Sequence, residues 1–374
     1  MLRKTSMEVP FFRYPHAFTQ HREEILDSIH NVLERGSFIL QEDLREFEKE
    51  VAEFAGSKHA IGVADGTESM ILALLAADIG IGDEVIFCSH TYIATADAIH
   101  FVGAIPVPCD MGADHLMDPN DVQARITSRT KAIMPTQLNG RVCAMDRLQE
   151  IANEHDLLII EDAAQALGAK FDGKCAGTFG FAGSISLYPA KVLGCFGDGG
   201  LLFTQDDKTA IVLRQLRDHG RNEDGVVVRW GLNSRLDNLQ AAVLRVKLRY
   251  FTKEIERRRE LALLYANSLQ GISELTLPAQ PGSEPRQFDI FQNYELQAEN
   301  RDDLQSYLRK RGIGTIVQWA GKAVHQFPEL ELGEHSLPNV ESFFKKCLLL
   351  PMNTSLTNEE VEYTCAQLRS FYTS

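Results

Sequence analysis

Short hydrophobic runs alternate with helix-length amphipathic segments along much of the chain. The runs predict strands at His59–Val63, Glu84–Phe87, Ile105–Pro108, Ala132–Met134, Leu157–Ile160, Gly183–Ser186 and Leu201–Thr204. Between them, Ser69–Ala77, Ile93–Val102, Asn120–Ile126 and Arg147–His155 have the length and spacing of helices. Strands that alternate with helices are joined by crossovers, so the pattern predicts an α/β fold with a mostly parallel sheet and helices on its faces. Around Asn233–Asn267 the pattern turns helical and rich in charge. The segment Leu277–Pro285 carries proline and glycine and reads as a loop. Phe291–Gln297 then predicts a strand, Arg301–Arg311 a helix, and Asn358–Phe371 a closing helix. Thr357 stands at the N-cap of that last helix, with Glu360 three residues on, the spacing of a capping box. These changes place a domain boundary near residue 250, giving a large domain over 1–250 with an N-terminal arm and a small α+β domain over 251–374.

Composition adds limits. The 374 residues are 44% hydrophobic and 24% charged, which suits a globular chain of this size. The formal charge, 38 − 52 = −14, disfavours nucleic-acid binding, which relies on clustered Lys and Arg. Arg257-Arg258-Arg259 lies in a helical, charge-mixed stretch and reads as a solvated helix face. Seven cysteines, none spaced C-x-x-C, imply free thiols in a reducing compartment and no zinc site or other metal. The N-terminus through Pro10 has no apolar core of signal-peptide length, and no run has the length of a membrane span. A cytoplasmic protein that binds neither membrane nor nucleic acid is expected.

The chemistry centres on Lys191. It follows Ser184-Ile185-Ser186-Leu187-Tyr188-Pro189-Ala190 and precedes a glycine-rich run ending Gly197-Asp198-Gly199-Gly200. Upstream, the hydrophobic run from Leu157 ends in Glu161-Asp162-Ala163-Ala164-Gln165. Each residue alone has a plainer reading. A lysine after a strand is usually a solvated charge, and an aspartate there is often a helix cap. Together they have the order of a pyridoxal phosphate (PLP) site. The lysine carries the cofactor as a Schiff base, the carboxylate pairs with the ring nitrogen, and a serine helps hold the phosphate. The acidic strand end also suits a nucleotide triphosphatase, but the chain lacks a G-x-x-x-x-G-K-[ST] loop. Asp65-Gly66-Thr67-Glu68-Ser69 follows a strand and opens a helix, where free N–H groups attract an anion. Its plainer reading is a turn capped by Thr67. Cys195, close to Lys191, reads as a packing residue.

These motifs, with His90-Thr91-Tyr92-Ile93-Ala94-Thr95, His219-Gly220 and Gly231-Leu232-Asn233-Ser234-Arg235, resemble the DegT/StrS-type sugar aminotransferases of the fold-type I PLP enzymes. The resemblance runs from Gly36 to Asn353. It implies that Gly66, Thr67 and Ser186 hold the cofactor phosphate, that Tyr92 stacks on the ring, and that Asp162 pairs with the ring nitrogen. It further implies that Gln165 reaches the ring hydroxyl and that Lys191 holds PLP. Asn233 would reach the phosphate of a neighbouring subunit, which implies a homodimer with shared sites, and Arg235 would meet an anionic group of the substrate. Leu138-Asn139-Gly140 stands where relatives often have Leu-Tyr-Gly, and Gly197-Asp198-Gly199-Gly200 resembles members that aminate C3 of a sugar.

The expected reaction moves an amino group from L-glutamate to a keto sugar, with Lys191 as the proton carrier. The expected acceptor is a nucleotide-linked 3-keto hexose, UDP-linked first and dTDP-linked second, for cell-surface polysaccharide or lipopolysaccharide. Residues 318–325 are expected to shape the sugar site. Two alternatives share the fold: a PLP-dependent sugar dehydratase, in which a histidine replaces the lysine, and a non-catalytic regulatory protein.

Overall fold

In a computed structural model, residues 7–333 and 335–373 are described. The basic residues at the start of the N-terminal segment lie outside them. A seven-stranded sheet runs in the spatial order His59–Val63, Gly200–Thr204, Ala182–Ser186, Leu158–Asp162, Thr130–Met134, Glu84–Cys88, Ile105–Cys109. The five strands from Ala182–Ser186 to Ile105–Cys109 pair in parallel. Gly200–Thr204 is antiparallel to both its neighbours. Every residue of Glu84–Cys88 and of Gly200–Thr204 is buried, as expected of strands covered on both faces. The fold is thus the α/β architecture read from the sequence, and all seven predicted strands form.

The helix after the first strand starts at Gly66, three residues earlier than the hydrophobic pattern marks. Its cap is Asp65 and not Thr67: the Asp65 side chain accepts the Glu68 N–H at 2.8 Å. Among the described residues five α-helices lie outside the predicted set: Tyr14–Thr19, Arg22–Arg35, Glu42–Ala55, Asp207–Arg217 and Pro338–Phe344. Glu42–Ala55 is strongly amphipathic and buries Leu44, Phe47, Val51 and Ala55 at helical spacing.

The charge-rich helical region divides in two, Asn238–Leu248 and Phe251–Leu269. It starts later than Asn233 because that residue forms an antiparallel bridge with Asp218, and the Ser234 N–H donates to Arg217 C=O at 2.9 Å. Beyond it, Leu275–Thr276, Tyr294–Ala298 and Cys347–Leu350 form an antiparallel sheet. Tyr265, Tyr294, Leu296, Leu304, Leu348, Leu350 and Leu368 form a separate core there, joined by Val9 from the N-terminal arm. The strand predicted from Phe291 begins only at Tyr294, because Phe291 has a left-handed backbone (φ 53°) and Gln292 and Asn293 turn to other partners. The closing helix Asn358–Thr373 has its capping box: Thr357 Oγ1 accepts the Glu360 N–H at 3.2 Å, and Glu360 Oε2 accepts the Thr357 N–H at 3.0 Å. Among the described residues no helix is long and apolar enough to cross a membrane.

One buried ion pair ties the sheet edge to its helices. Glu48 Oε1 accepts the Gly62 N–H at 2.7 Å and pairs with Arg217, whose Nη1 also donates to Gly62 C=O at 2.9 Å. Both side chains are buried. Removing one partner leaves the other charge uncompensated, so Glu48→Ala should destabilise the fold by about 3–5 kcal/mol. A denaturant midpoint unmoved by the substitution would show that the pair contributes nothing.

Candidate active site

Parallel strands present their C-terminal ends to one side of the sheet, where such folds bind ligands. Asp162 and Ser186 end their strands there, and Thr136 and His90 lie just past the ends of theirs. The antiparallel strand completes the edge, because Gly200 stands opposite both Ser186 and Val63. A Cβ on Gly200 would lie 2.2 Å from Asp65 C=O, so glycine is needed for this close approach.

These ends surround a cavity of about 650 Å3. Seven of the eight expected cofactor residues line it: Gly66, Thr67, Tyr92, Asp162, Gln165, Ser186 and Lys191. Asn233 and Arg235 are not among the lining residues. Asn233 is exposed, and Arg235 donates to Asp218 Oδ1 at 2.9 Å. Gln318 and Trp319 do line the cavity, whereas His325 is tied to Ser89, 2.7 Å away. Trp319, Ala320 and Gly321 all take left-handed backbone conformations (φ 47°, 57° and 71°). For the two non-glycine residues this costs roughly 1–2 kcal/mol each.

Gly66 and Thr67 are the first residues of a helix, where N–H groups have no intrahelical acceptor. Ser186 lies against them: a Cβ on Gly66 would come within 2.9 Å of Ser186 Cβ. Two free N–H groups, the Thr67 hydroxyl and the Ser186 hydroxyl therefore share one concave corner, which suits a phosphate. The cavity is also lined by Asp162, which is buried. Its Oδ2 accepts the Thr95 hydroxyl at 2.6 Å and its Oδ1 the Ala164 N–H at 3.1 Å. Burial raises the pKa of Asp162, while Thr95, Ala164 and Lys191 oppose that shift. Burial lowers the pKa of Lys191, and the Asp162 charge opposes it. An anion corner, a buried carboxylate and an amine made easier to deprotonate match the phosphate, ring nitrogen and aldehyde of PLP.

Gln165 Oε1 accepts the Asn139 N–H at 2.9 Å, which leaves its Nε2 to donate, as a ring hydroxyl requires. Asn139 is itself fixed. It has a left-handed backbone, its Nδ2 donates to Glu295 Oε2 at 2.8 Å, and its Oδ1 accepts from Asn293 at 2.7 Å. The residue that sequence reasoning missed most plainly is Gln292. Its Oε1 accepts the Val192 N–H and its Nε2 donates to Ala190 C=O, both at 2.9 Å, so it clamps the peptides on both sides of Lys191. A polar Gln-Asn pair inside an apolar strand pattern was the available signal. Cys195 is buried and its thiol is pushed up to about 11 by burial, which fits packing and not attack.

The aminotransferase family described as DegT/DnrJ/EryC1/StrS matches residues 19–369. The chain belongs to that family. It is a PLP-dependent aminotransferase by that membership, and its fold-type I architecture follows. Among its relatives is a pleiotropic regulatory protein of Geobacillus stearothermophilus, 37% identical over 98% of this chain and 99% of that protein. A dTDP-3-amino-3,4,6-trideoxy-alpha-D-glucose transaminase of Streptomyces venezuelae is 40% identical over 95% of this chain and 93% of its own length. A UDP-2-acetamido-2-deoxy-3-oxo-D-glucuronate aminotransferase of Pseudomonas aeruginosa is 35% identical over 93% and 96%. The crystal structure of DesV from S. venezuelae superposes with a TM-score of 0.94 at 38% identity, covering 98% of this chain and 99% of DesV. NtdA of Bacillus subtilis, solved with bound cofactor PMP, gives a TM-score of 0.92 at 27% identity, covering 100% and 87%.

The lowered pKa of Lys191 has a measurable consequence. Only a neutral amine attacks an aldehyde, so cofactor uptake by the cofactor-free protein should speed up with rising pH. Its half-maximal rate should come below the 10.5 of a free lysine. In Asp162→Asn the midpoint should move lower still, because the charge that opposes the shift is gone. Stopped-flow absorbance reads both values, and a midpoint at or above that of free lysine contradicts the burial of the amine.

Proposed function

We propose that this enzyme transfers an amino group from L-glutamate to a nucleotide-linked 3-keto hexose. The observation that carries this reading is one cavity that joins the phosphate corner, Asp162 and Lys191. When bound, PLP supplies an electron sink that stabilises negative charge next to the reacting carbon. The chain supplies the remaining functions. Asp162 as carboxylate holds the ring nitrogen protonated. Lys191, neutral at the moment of transfer, takes the donor Cα proton and returns a proton to complete the exchange. Gln292 fixes the backbone from which Lys191 swings. Gln318, Asn293 and Trp319 give the outer cavity amides and an aromatic face, which suit sugar hydroxyls and an apolar ring face. The presence of Lys191 disfavours a dehydratase, and the seven expected cofactor residues gathered at one cavity disfavour a purely regulatory role.

Both transaminase relatives act, by name, at position 3 of the sugar, which supports C3. They give no support to UDP over dTDP, since the dTDP-sugar relative is 40% identical and the UDP-sugar relative 35%. A panel of UDP- and dTDP-linked 3-keto and 4-keto sugars, assayed for glutamate-dependent amination, tests the proposal. Turnover should appear with a 3-keto substrate, and turnover confined to 4-keto sugars would refute the C3 assignment. Seven buried, unpaired cysteines suit the reducing cytoplasm.

We place Asn233 in the phosphate corner of a second subunit, and any substrate contact of Arg235 in that same neighbouring cavity. The support is that both residues lie outside their own chain's cavity, beside an exposed apolar stretch with Val227 and Trp230, the latter 97% exposed. Mixing inactive Lys191→Ala with inactive Asn233→Asp under conditions of subunit exchange should restore some activity, because one site of each mixed dimer is intact. No recovery despite confirmed exchange would assign both residues to the same subunit's site.

A further inference from the structure

Three threonines from two separate segments end on the buried carboxylate. Thr136 Oγ1 donates to Thr91 Oγ1 at 2.9 Å, the Thr91 and Thr95 hydroxyls lie 2.7 Å apart, and Thr95 Oγ1 donates to Asp162 Oδ2 at 2.6 Å. All three threonines are buried, and Thr95 has no exposed surface. A carboxylate can only accept, so Thr95 must point its proton at Asp162. Thr95 then accepts from Thr91, and Thr91 from Thr136. Ionised Asp162 therefore sets one direction for every proton in the chain. Hydrogen bonds in such a series strengthen one another. Protonated Asp162 would remove the reason for that order.

The surroundings give the carboxylate little other help. Lys191 is the charged group that acts on it, and the Ala164 N–H is its other donor. The adjacent Glu161 is occupied elsewhere, accepting from Gln137 Nε2 at 2.7 Å and from the Gly177 and Phe179 N–H groups. Thr91 and Thr136 line the cavity, whereas Thr95 lies behind it. We infer that Thr95, Thr91 and Thr136 are positioning residues whose hydroxyl chain keeps Asp162 ionised and oriented toward the cofactor ring. This rests on the proposed pairing of Asp162 with the ring nitrogen and goes beyond it, because it assigns the cause of that ionisation.

The test uses holoenzyme reconstituted with PLP labelled with nitrogen-15 at the ring, whose chemical shift reports whether that nitrogen is protonated. Thr95→Val keeps the shape and removes the donor, Thr95→Ser keeps the donor, and Asp162→Asn is the reference. Loss of one hydrogen bond to a charged group should shift the ring-nitrogen titration about tenfold or more in proton concentration, toward lower pH. The rate at which glutamate bleaches the bound chromophore should fall by a similar factor, with its half-saturating concentration little changed. Thr95→Ser should behave as wild type. Thr136→Val, which removes the far end of the chain, should show a smaller shift in the same direction and carries the test if Thr95→Val does not fold. An unshifted titration in both valine variants overturns the inference, as does a Thr95→Ser variant as impaired as Thr95→Val. If Asp162→Asn itself leaves the ring signal unchanged, the pairing of Asp162 with the ring fails, and the inference fails with it. If Asp162→Asn moves the signal and the valine variants do not, only the hydroxyl chain falls.

Discussion

Burial of a carboxylate and an amine at one end of a parallel sheet is the constraint around which this structure is arranged. Taking either group out of water disfavours its charged form. For Lys191 that favours the proton-carrying role proposed for it, which needs a neutral amine. For Asp162 it works against the ring pairing proposed for it, which needs an anion. The protein resolves the conflict asymmetrically. Asp162 receives a hydroxyl and a backbone N–H, whereas among the described residues the Lys191 amine has no hydrogen-bond partner. The same cavity thus makes the carboxylate easier to ionise than burial alone would allow and leaves the amine free to lose its proton.

Sheet topology makes this possible. Because Leu158–Asp162 and Ala182–Ser186 are adjacent and parallel, Asp162 and Ser186 emerge at the same edge, and Lys191 follows after a short turn in which its N–H donates to Tyr188 C=O. The reversed strand Gly200–Thr204 then brings the helix that starts at Gly66 against Ser186. Residues far apart in sequence become one phosphate corner without a long loop. The C-terminal sheet contributes from the other side. Gln292 reaches from just before its central strand to the peptides flanking Lys191, so the backbone around Lys191 is held by both parts of the molecule.

Much of this was legible in the sequence because its signals are local. The seven sheet strands are short apolar runs, and the residues expected to hold the cofactor sit at or shortly after their ends. What was not legible depends on partners distant in the chain. Glu42–Ala55 is amphipathic but only finds its buried face by packing on Asn238–Leu248 and the first strand. The N-cap at Asp65 was masked by the equally suitable Thr67 beside it. Thr95 and Gln292 look like ordinary polar residues until folding sets one against Asp162 and the other across Lys191. Asn233 and Arg235 were read from motif alone, and the single chain places both outside the cavity that the other seven residues share.

The same two buried groups set the relation between stability and cofactor. Lys191 has its folded pKa below its ordinary 10.5, so the unfolded chain binds more protons between the two values, and stability rises with pH across that window. Asp162 has its folded pKa above its ordinary 3.8, so the folded chain binds more protons there, and stability falls as pH rises across that window. Above its folded pKa Asp162 carries its full penalty, and below its own folded pKa so does Lys191. In the proposed arrangement, a cofactor that pairs with the carboxylate and takes up the amine would relieve both at once. To the extent that it binds the folded chain more tightly than the unfolded one, each penalty relieved is returned as added stability by mass action. The burial that tunes Asp162 and Lys191 thus costs the cofactor-free fold stability that a bound cofactor would restore.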